Sequence, residues 1–282
     1  MLRYAYVSSG LSRHRLEDAL ELLLEAGYDG VALTLDHVHF DPLAPRLRVR
    51  AERLGGLLDE LGLARVVETD SRFLLDRHRP DHPSLLSEGR QRRLELLRRA
   101  VDVAAAVGAP VVSMRTGAAP RQQDPVTAWT LLMDGIESVL TAAGRAGVAI
   151  AVEPEGGMLV ERLDDFFTLA RRLGDPAGFG LTLDLGHCAA VEPGPVEESV
   201  RRAAERLLHV HAKDMRRRGD EQLMLGDGDL DLRSALRALT EVGYGGLVAV
   251  ELPRHAHLAP DVVPRAIARL RDAERGRAES TL

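Results

Sequence analysis

The sequence has one cysteine and no long hydrophobic run. These two features argue against a disulfide-bonded protein and against a membrane protein. Cys188 stands alone, so no disulfide can form within the chain, and we expect a reducing compartment, the cytoplasm. No stretch approaches the apolar length that a helix needs to cross a bilayer, which argues against a membrane protein. Residues 1–9 lack a basic stretch followed by an apolar run, so we predict no secretory signal.

Acidic residues outnumber basic ones, and lysine is almost absent. The net charge is -6, so the chain has no excess of basic residues to attract a nucleic acid backbone. Lys213 is the only lysine among the 37 basic residues, and all the others are arginine. Such a complete preference for arginine indicates the base composition of the genome and not a function of the protein. The one lysine that is present is therefore of interest.

What the sequence does contain is a regular alternation of β-rich runs and stretches with apolar residues at helical spacing. Leu16, Leu20 and Leu23 show this spacing, and Gly27 ends the predicted helix just before a strand. Strands that alternate with helices form parallel sheets, and eight of them favour a closed (β/α)8 TIM barrel, an α/β fold, over an open sheet. The predicted strands are Leu2–Ser8, Gly30–Asp36, Leu63–Glu68, Pro110–Arg115, Val148–Glu153, Phe179–Asp184, Leu207–Lys213 and Leu247–Glu251.

Within the predicted strands, small residues and bulky residues occupy opposite faces. In the fifth strand Ala149 and Ala151 share a face with Glu153, whereas bulky aliphatic residues occupy the other face. In the sixth strand Thr182 shares a face with Asp184 in the same way. A bulky face suits a layer of helices, and a small face that ends in an acid suits the lumen of a barrel with a site at its C-terminal mouth.

We predict one domain over residues 1–282, with a frayed tail over residues 276–282, because the chain contains no linker or low-complexity segment. Two connections are long, residues 69–89 after the third strand and residues 214–230 after the seventh. Long loops at this end of a barrel are candidate lids. Residues 71–83 are rich in arginine and histidine, which fits either a lid over an anionic substrate or a solvated loop.

Each of the last four predicted strands carries, at its end, a side chain that can bind a metal ion. These side chains are Glu153, Asp184, His211 and Glu251. Neighbouring strands of a barrel place their ends around one point, where three carboxylates would repel one another without a cation between them. Three carboxylates and one imidazole suit one divalent ion, and we expect Mn²⁺ ahead of Mg²⁺, Co²⁺ or Zn²⁺.

Each of these residues, taken singly, has a plainer explanation. An acid at the end of a strand commonly caps the next helix, and a histidine within a strand is commonly a hydrogen-bonded core residue. Four such residues at the same end of consecutive strands favour one shared site over four separate structural roles.

Five segments of the C-terminal half carry motifs of a known family. They are Val152–Pro154, Leu183–His187, His209–Asp214, Leu225–Asp231 and Gly243–Glu251. With them the chain resembles the xylose-isomerase-like barrels, a superfamily of sugar epimerases, hydroxypyruvate isomerases, inosose dehydratases and the AP endonucleases of family 2, the endonuclease IV branch. The N-terminal half matches only loosely, through residues 26–31.

The resemblance implies a metal-dependent isomerase or epimerase of a sugar, sugar acid or keto-cyclitol, with the four residues above as metal ligands. In this family the metal acts as a Lewis acid on a carbonyl and stabilises an enediolate. Glu153 and Glu251 would be the catalytic carboxylates that move the proton on opposite sides of the substrate. Two other readings stay open: a lyase, such as an inosose-type dehydratase or a β-eliminating deglycosidase, and a sugar-binding barrel without catalysis.

The resemblance also implies two substrate contacts, and a third residue allows several interpretations. His187 would hydrogen-bond a substrate oxygen, and Arg217 stands where some ketose epimerases have a substrate-binding arginine, unless it is a solvated loop residue. Lys213 shares the inward direction of His211, two residues before it. It is predicted either to stabilise an oxyanion of the substrate or to form an ion pair with an aspartate, Asp184 or Asp214.

The ends of the third and fourth strands separate this chain from the endonuclease IV branch, which has additional metal-binding histidines there. Here Glu68 and Arg115 occupy these ends, and we predict that they contact a polyhydroxylated ligand or each other. Residues 226–229 also lack the histidine of that branch. We therefore expect a small-molecule substrate, no nucleic acid and no membrane partner, while homo-oligomers remain possible.

Overall fold

Strands and helices alternate along the whole of the described chain. The structure is a computed structural model, and it describes residues 1–70, 72–219 and 221–276. The strands are β1 (Arg3–Val7), β2 (Gly30–Thr34), β3 (Ala64–Glu68), β4 (Val111–Arg115), β5 (Ala149–Glu153), β6 (Phe179–Asp184), β7 (Leu207–Ala212) and β8 (Leu247–Val250). The α-helices are α1 (Leu16–Ala26), α2 (Leu47–Glu60), α3 (Arg90–Val107), α4 (Pro125–Ala146), α5 (Leu163–Arg172), α6 (Leu185–Val191), α7 (Val196–Ala203), α8 (Leu232–Glu241) and α9 (Ala259–Glu274).

The eight strands form one closed parallel sheet, in which neighbours follow chain order and β8 pairs with β1. The predicted (β/α)8 barrel is confirmed, and each predicted strand is present to within two residues at either end. Polar side chains of β4 and β6 also contact each other. The hydroxyl of Thr182 in β6 donates a buried hydrogen bond to the hydroxyl of Ser113 in β4, with 2.9 Å between the oxygens. Such a barrel brings the carboxyl ends of its strands to one mouth.

The described residues group into two compact units. The first consists of residues 1–32 and 62–64 together with the chain from residue 183 onward, and the second consists of residues 33–61 and 65–182. The carboxyl ends of β7 and β8 lie in the first unit, and those of β3, β4 and β5 lie in the second.

In the first unit, α9 packs against α1 and α8. Glu274 at the end of α9 accepts hydrogen bonds from the Leu2 N–H at 2.9 Å and from the Tyr4 hydroxyl at 3.0 Å. As predicted, Gly27 ends α1, with a left-handed φ of 83° that lets its N–H reach the Leu24 carbonyl oxygen at 2.9 Å. These contacts fix the start of β1 against the helices behind it.

In the second unit, α3 packs against both α2 and α4. Gly55 allows the close approach of α2 to α3, because a Cβ at this position would lie 3.1 Å from the Val107 Cα. Phe166 of α5 stacks on Phe179 of β6, with 5.6 Å between the ring centroids. These contacts pack α3 against α2 and α4, and α5 against β6.

No helix among the described residues combines the length and the apolar composition needed to cross a membrane. The predicted frayed tail, residues 276–282, lies outside the described residues apart from Gly276. The extent of the single domain over residues 1–282 stays a prediction.

Candidate metal centre

Asp184 ends β6 and also begins α6. Its Oδ1 accepts a hydrogen bond of 2.9 Å from the backbone N–H of His187, which is the N-cap arrangement expected of an aspartate before a helix. This bond fixes the orientation of the carboxylate and leaves Oδ2 directed at the Lys213 ammonium, 2.7 Å away. Asp184 therefore serves as a cap and as a buried charge at the same time.

Lys213 lies directly after β7 and is buried, with 3% of its side chain exposed. Its Nζ is 2.7 Å from Asp184 Oδ2 and 2.5 Å from Glu251 Oε2. The predicted ion pair with Asp184 is therefore present, and Glu251 is a second partner that the sequence reading did not include. The ammonium lies between the carboxylates that end β6 and follow β8.

Asp214, the other predicted partner of Lys213, has a different role. Its carboxylate accepts three backbone hydrogen bonds, from Met215 and Gly226 at 2.9 Å and from Leu230 at 3.0 Å. Gly228 packs so close to it that a Cβ there would lie 2.2 Å from Asp214 Oδ1. The carboxylate thus organises the loop of residues 214–230, and the alternative of an ion pair with Lys213 was wrong.

The buried charges around Lys213 shift the pKa values of both carboxylates downwards. Burial by itself raises the pKa of Asp184, but the charges of Lys213, His187 and His211 outweigh it and lower this pKa to about 2. For Glu251, burial again raises the pKa, and Lys213 and His211 again outweigh it, so that the pKa lies below its ordinary value. Both groups are therefore carboxylates at neutral pH.

His211 of β7 is buried and lies against His209 of the same strand, with the rings edge to face and 4.9 Å between their centroids. Its ligand atoms belong to two groupings among the described residues. In one, ligand atoms of His211, His209 and Glu68 lie within 4.8 Å of one another. Glu68 is 2% exposed and closes this grouping, whereas its predicted substrate contact stays a prediction.

The second grouping consists of the four ligands predicted from the strand ends. One ligand atom from each of Glu153, Asp184, His211 and Glu251 lies within 4.8 Å of the others, and all four residues are buried. Three carboxylates and an imidazole form a donor set that suits Mn²⁺, Mg²⁺ or Zn²⁺. The chemistry of the residues present therefore fits a divalent ion.

In the second unit, Arg115 at the end of β4 lies beside Glu153 at the end of β5, because these two residues are in register in the sheet. Its guanidinium is engaged by the carboxylates of Asp70 and Glu155 and lies 3.4 Å from that of Asp81. The predicted contact between Arg115 and Glu68 stays a prediction beside these three. Sequence reasoning missed all three acids, although Glu155 follows the Val152–Pro154 motif directly.

The two remaining predicted substrate contacts differ in exposure. Arg217 is exposed, and its backbone N–H donates to Asp229 Oδ2 at 2.8 Å. His187 is half-buried on α6. Substrate contacts by these residues stay predictions.

The loop of residues 71–83 is described except for Ser71. Two of its arginines face acids of the same loop: Arg79 pairs with Asp76 at 3.0 Å, and Arg72 lies 3.9 Å from Asp81. These ion pairs are partly exposed, as a solvated loop would have them.

The chain is similar to known proteins in both sequence and fold. The model of the family described as xylose isomerase-like TIM barrel matches residues 20–273. Fructoselysine 3-epimerase of Shigella flexneri is 24% identical over 86% of this chain and 87% of its own length. The L-ribulose-5-phosphate 3-epimerase UlaE of Escherichia coli O157:H7 is 26% identical over 83% of this chain and 81% of its own length.

Two further relatives match over a smaller part of their length. The chain spans 27% of protein MJ1311 of Methanocaldococcus jannaschii at 33% identity. It spans 39% of the rhizopine catabolism protein MocC of Rhizobium meliloti at 34% identity. These local matches cover 27% and 39% of the present chain as well.

Solved structures are similar over nearly the whole chain. An L-ribulose 3-epimerase superimposes with a TM-score of 0.76 at 19% identity and covers 98% of this chain and 97% of its own. The IolI protein, whose crystal structure has a bound zinc atom, superimposes with a TM-score of 0.75 at 17% identity and covers 99% of this chain and 100% of its own. At these identities the similarity shows the fold alone.

Proposed function

Because this chain belongs to the family of xylose isomerase-like TIM barrels, we propose that it is a metal-dependent epimerase that acts on carbon 3 of a ketose. One observation carries the proposal: three carboxylates and one imidazole, from the ends of four consecutive strands, have ligand atoms within 4.8 Å of one another. The names of two long-matching relatives, both 3-epimerases, support the reaction class.

Glu153, Asp184, His211 and Glu251 would hold the ion. A bound divalent ion supplies Lewis acidity, which polarises the substrate carbonyl and acidifies the neighbouring C–H. The zinc atom of the similarly folded IolI protein is consistent with a metal in such a barrel. Within the set of divalent ions we propose Mn²⁺, from the mixture of hard carboxylates and one imidazole.

Two carboxylates of the chain would move the proton. Glu153 and Glu251 end or follow strands that are three positions apart in the barrel order, so they can address a substrate from different sides. One would act as a carboxylate and take the proton from the carbon beside the carbonyl, and the other would act as a carboxylic acid and give a proton to the opposite face of the same carbon, so that the two exchange protonation states in a turnover. The lowered pKa of Glu251 keeps it ionised and able to accept a proton at neutral pH.

Lys213 and His187 would position the reacting groups. The Lys213 ammonium bonds both Asp184 and Glu251, and so it fixes the orientation of two carboxylates at once. The backbone N–H of His187 holds the other oxygen of Asp184, which brings its imidazole to the same strand end. A hydrogen bond from this imidazole to a substrate oxygen is part of the proposal.

Deuterium incorporation is the direct test. In D₂O, the Mn²⁺-loaded protein and a ketose such as D-fructose or L-ribulose should give the 3-epimer, with one deuterium at carbon 3 and an unchanged carbon skeleton by NMR. Loss of a hydroxyl group would instead identify the lyase alternative, which no named relative favours. A protein that binds the sugar without any exchange would be a sugar-binding barrel.

Glu251→Gln should lower kcat by roughly 100-fold or more, because general acid–base groups contribute this much. The matched control is Glu60→Gln, at an exposed position at the end of α2, and it should leave kcat unchanged. Wild-type turnover in Glu251→Gln would remove this residue from the mechanism.

Location and partners complete the proposal. A single cysteine that is free and buried is compatible with a cytoplasmic enzyme. The substrate would be a small polyhydroxylated molecule, and neither nucleic acid nor a membrane is needed for the reaction.

A further inference from the structure

In the second unit, two other connections are held at the end of β4. The Thr116 hydroxyl accepts a hydrogen bond of 3.3 Å from the Val160 N–H, and the Gly117 carbonyl oxygen accepts one of 3.1 Å from the Leu159 N–H. Gly117 also packs against Ser84, because a Cβ at residue 117 would lie only 2.5 Å from the Ser84 Cβ. The connections that follow β3 and β5 therefore both contact the chain directly after β4.

Arg115, the last residue of β4, joins the same connections through charge. Its guanidinium is engaged by the carboxylates of Asp70 and Glu155 and lies 3.4 Å from that of Asp81. Asp70 and Asp81 follow β3, whereas Glu155 follows β5. A guanidinium carries five N–H donors in one plane, so it can bind several carboxylates at once. This one side chain therefore connects three segments of the chain.

The space beside these charged side chains is too small for a sugar. Two arginines and two aspartates line a gap of about 30 Å³, which has room for only a few water molecules: Arg93, Arg115, Asp70 and Asp81. Their charges balance, and Arg93 also donates a hydrogen bond of 2.9 Å to the Pro83 carbonyl oxygen. Balanced charges around so small a gap indicate a structural connection and not a place for substrate.

Glu153, a proposed metal ligand and catalytic group, is part of this arrangement. It is the register partner of Arg115 in the parallel ladder of β4 and β5, where neighbouring backbones lie about 4.8 Å apart. The chain leaves β5 through Pro154, whose ring fixes its φ angle, and then reaches Glu155 on the Arg115 guanidinium. The backbone of Glu153 is thus held by the ladder and, two residues later, by the pair of Arg115 and Glu155.

Given the proposed function, we infer that Arg115 is a positioning residue for Glu153. By holding Glu155 and the two aspartates, it fixes the chain around the end of β5 and keeps the Glu153 carboxylate where the ion and the reacting carbon require it. Metal binding and proton transfer both depend on placement to within about 0.5 Å. Arg115 acts through Glu153 and does not contact the substrate, in contrast to the role predicted from the sequence.

Arg115→Met tests this role, because it removes the charge and keeps an unbranched side chain. Titration calorimetry should show roughly tenfold weaker Mn²⁺ binding, the usual effect of losing a group that orients a metal ligand. In the Mn²⁺-loaded variant kcat should fall by roughly tenfold, while KM changes by no more than about twofold. Arg121→Met removes an exposed arginine from the connection that follows β4, and this matched control should leave Mn²⁺ affinity and kcat unchanged.

Two more variants examine how the connection works. Arg115→Lys keeps the positive charge, but an ammonium lacks the planar fork that spans several carboxylates, so it should restore only part of the Mn²⁺ affinity. Full restoration would show that charge alone suffices and would overturn the inference. Glu155→Gln removes one acid from the guanidinium and should also weaken Mn²⁺ binding, which keeps the inference testable if Arg115→Met fails to fold.

Two other results for Arg115→Met would overturn the inference. A raised KM with unchanged Mn²⁺ affinity and kcat would make Arg115 a substrate contact. A lower unfolding midpoint in EDTA, again with unchanged Mn²⁺ affinity and kcat, would leave it a purely structural role.

The calorimetric readout separates this inference from the proposed function, because it needs no turnover. If Arg115→Met weakens Mn²⁺ binding but the wild type incorporates no deuterium at carbon 3, the epimerase proposal fails and the positioning role stands. If the wild type incorporates deuterium and the variant keeps its Mn²⁺ affinity and kcat, the positioning role fails and the epimerase proposal stands.

Discussion

Lys213 is a buried ammonium, and two carboxylates that it contacts, Asp184 and Glu251, are also proposed metal ligands. Its charge offsets part of the repulsion between these carboxylates, and a bound divalent ion would offset the same repulsion. The ammonium and the ion therefore compete for the same negative charge. Removal of the ammonium should consequently have opposite effects on the metal-free protein and on metal binding.

We predict that Lys213→Met, which keeps the length of the side chain, destabilises the metal-free protein by about 3–5 kcal/mol, the usual effect of breaking a buried ion pair. The same variant should bind Mn²⁺ more tightly than the wild type, because the competing positive charge is gone. Denaturant unfolding in EDTA and calorimetric titration with Mn²⁺ measure the two effects.

Arg48→Met is the matched control for this variant, since it removes a positive charge whose side chain is 86% exposed. It should change neither the unfolding midpoint nor the metal affinity. If Lys213→Met weakens Mn²⁺ binding instead, the ammonium supports the metal ligands in the loaded protein and does not compete with the ion.

At the scale of structural elements, one carboxylate joins distant parts of the loop of residues 214–230. Asp214 accepts backbone hydrogen bonds from residues that follow it by one, twelve and sixteen positions. The loop also pairs with itself, since Asp214 and Leu223 form an isolated antiparallel bridge. The end of β7, which carries His211, is therefore coupled to the order of this loop.

We predict that Asp214→Ala lowers the free energy of unfolding by about 1–3 kcal/mol, because buried backbone N–H groups lose their acceptor. The loop should also become sensitive to limited proteolysis. Asp227→Ala, at an exposed position of the same loop, should preserve both stability and protease resistance. Equal protease resistance in the two variants would show that other contacts hold the loop.

Much of the fold, and the proposed ligands, followed from the sequence because the decisive signals are local. Alternation along a strand determines which residues face the lumen, so Glu153 and Asp184 were predictable from the strands that they end. The partners of Arg115 were not predictable in this way. Asp70 and Asp81 follow β3, whereas Glu155 follows β5, and their convergence depends on loop conformations that no periodicity encodes.

The second partner of Lys213 was missed for a related reason. Glu251 and Lys213 are 38 residues apart and directly follow the ends of neighbouring strands. Their side chains meet only because of the stagger between β7 and β8, which the sequence pattern does not specify. The sequence could not show whether Lys213 pairs with Asp184 or with Asp214. Asp214 is adjacent in sequence, but its carboxylate accepts hydrogen bonds from the backbone of its own loop.

At the scale of the whole molecule, the proposed ligands come from β5 to β8, so a bound ion would link four strands that are distant in sequence. A ligand that binds only the folded state stabilises it by about 2.7 kcal/mol at a hundred times its Kd. We therefore predict that saturating Mn²⁺ raises Tm by roughly 5 °C or more relative to protein in EDTA.

Differential scanning calorimetry measures this increase, and His211→Gln provides the control because it removes the one imidazole from the proposed ligand set. The variant should show little change in Tm on addition of Mn²⁺. An equal increase in both proteins would place the stabilising ion elsewhere.

The burial of the only lysine also determines how the molecule responds to reagents that recognise primary amines. A lysine-specific endoproteinase has one peptide bond to cut, the bond between Lys213 and Asp214, and both residues are buried. Cleavage into two fragments therefore requires that the strand end around Lys213 first come apart. The rate at which the two fragments accumulate therefore measures how often the wild-type protein unfolds locally around Lys213, at the proposed site.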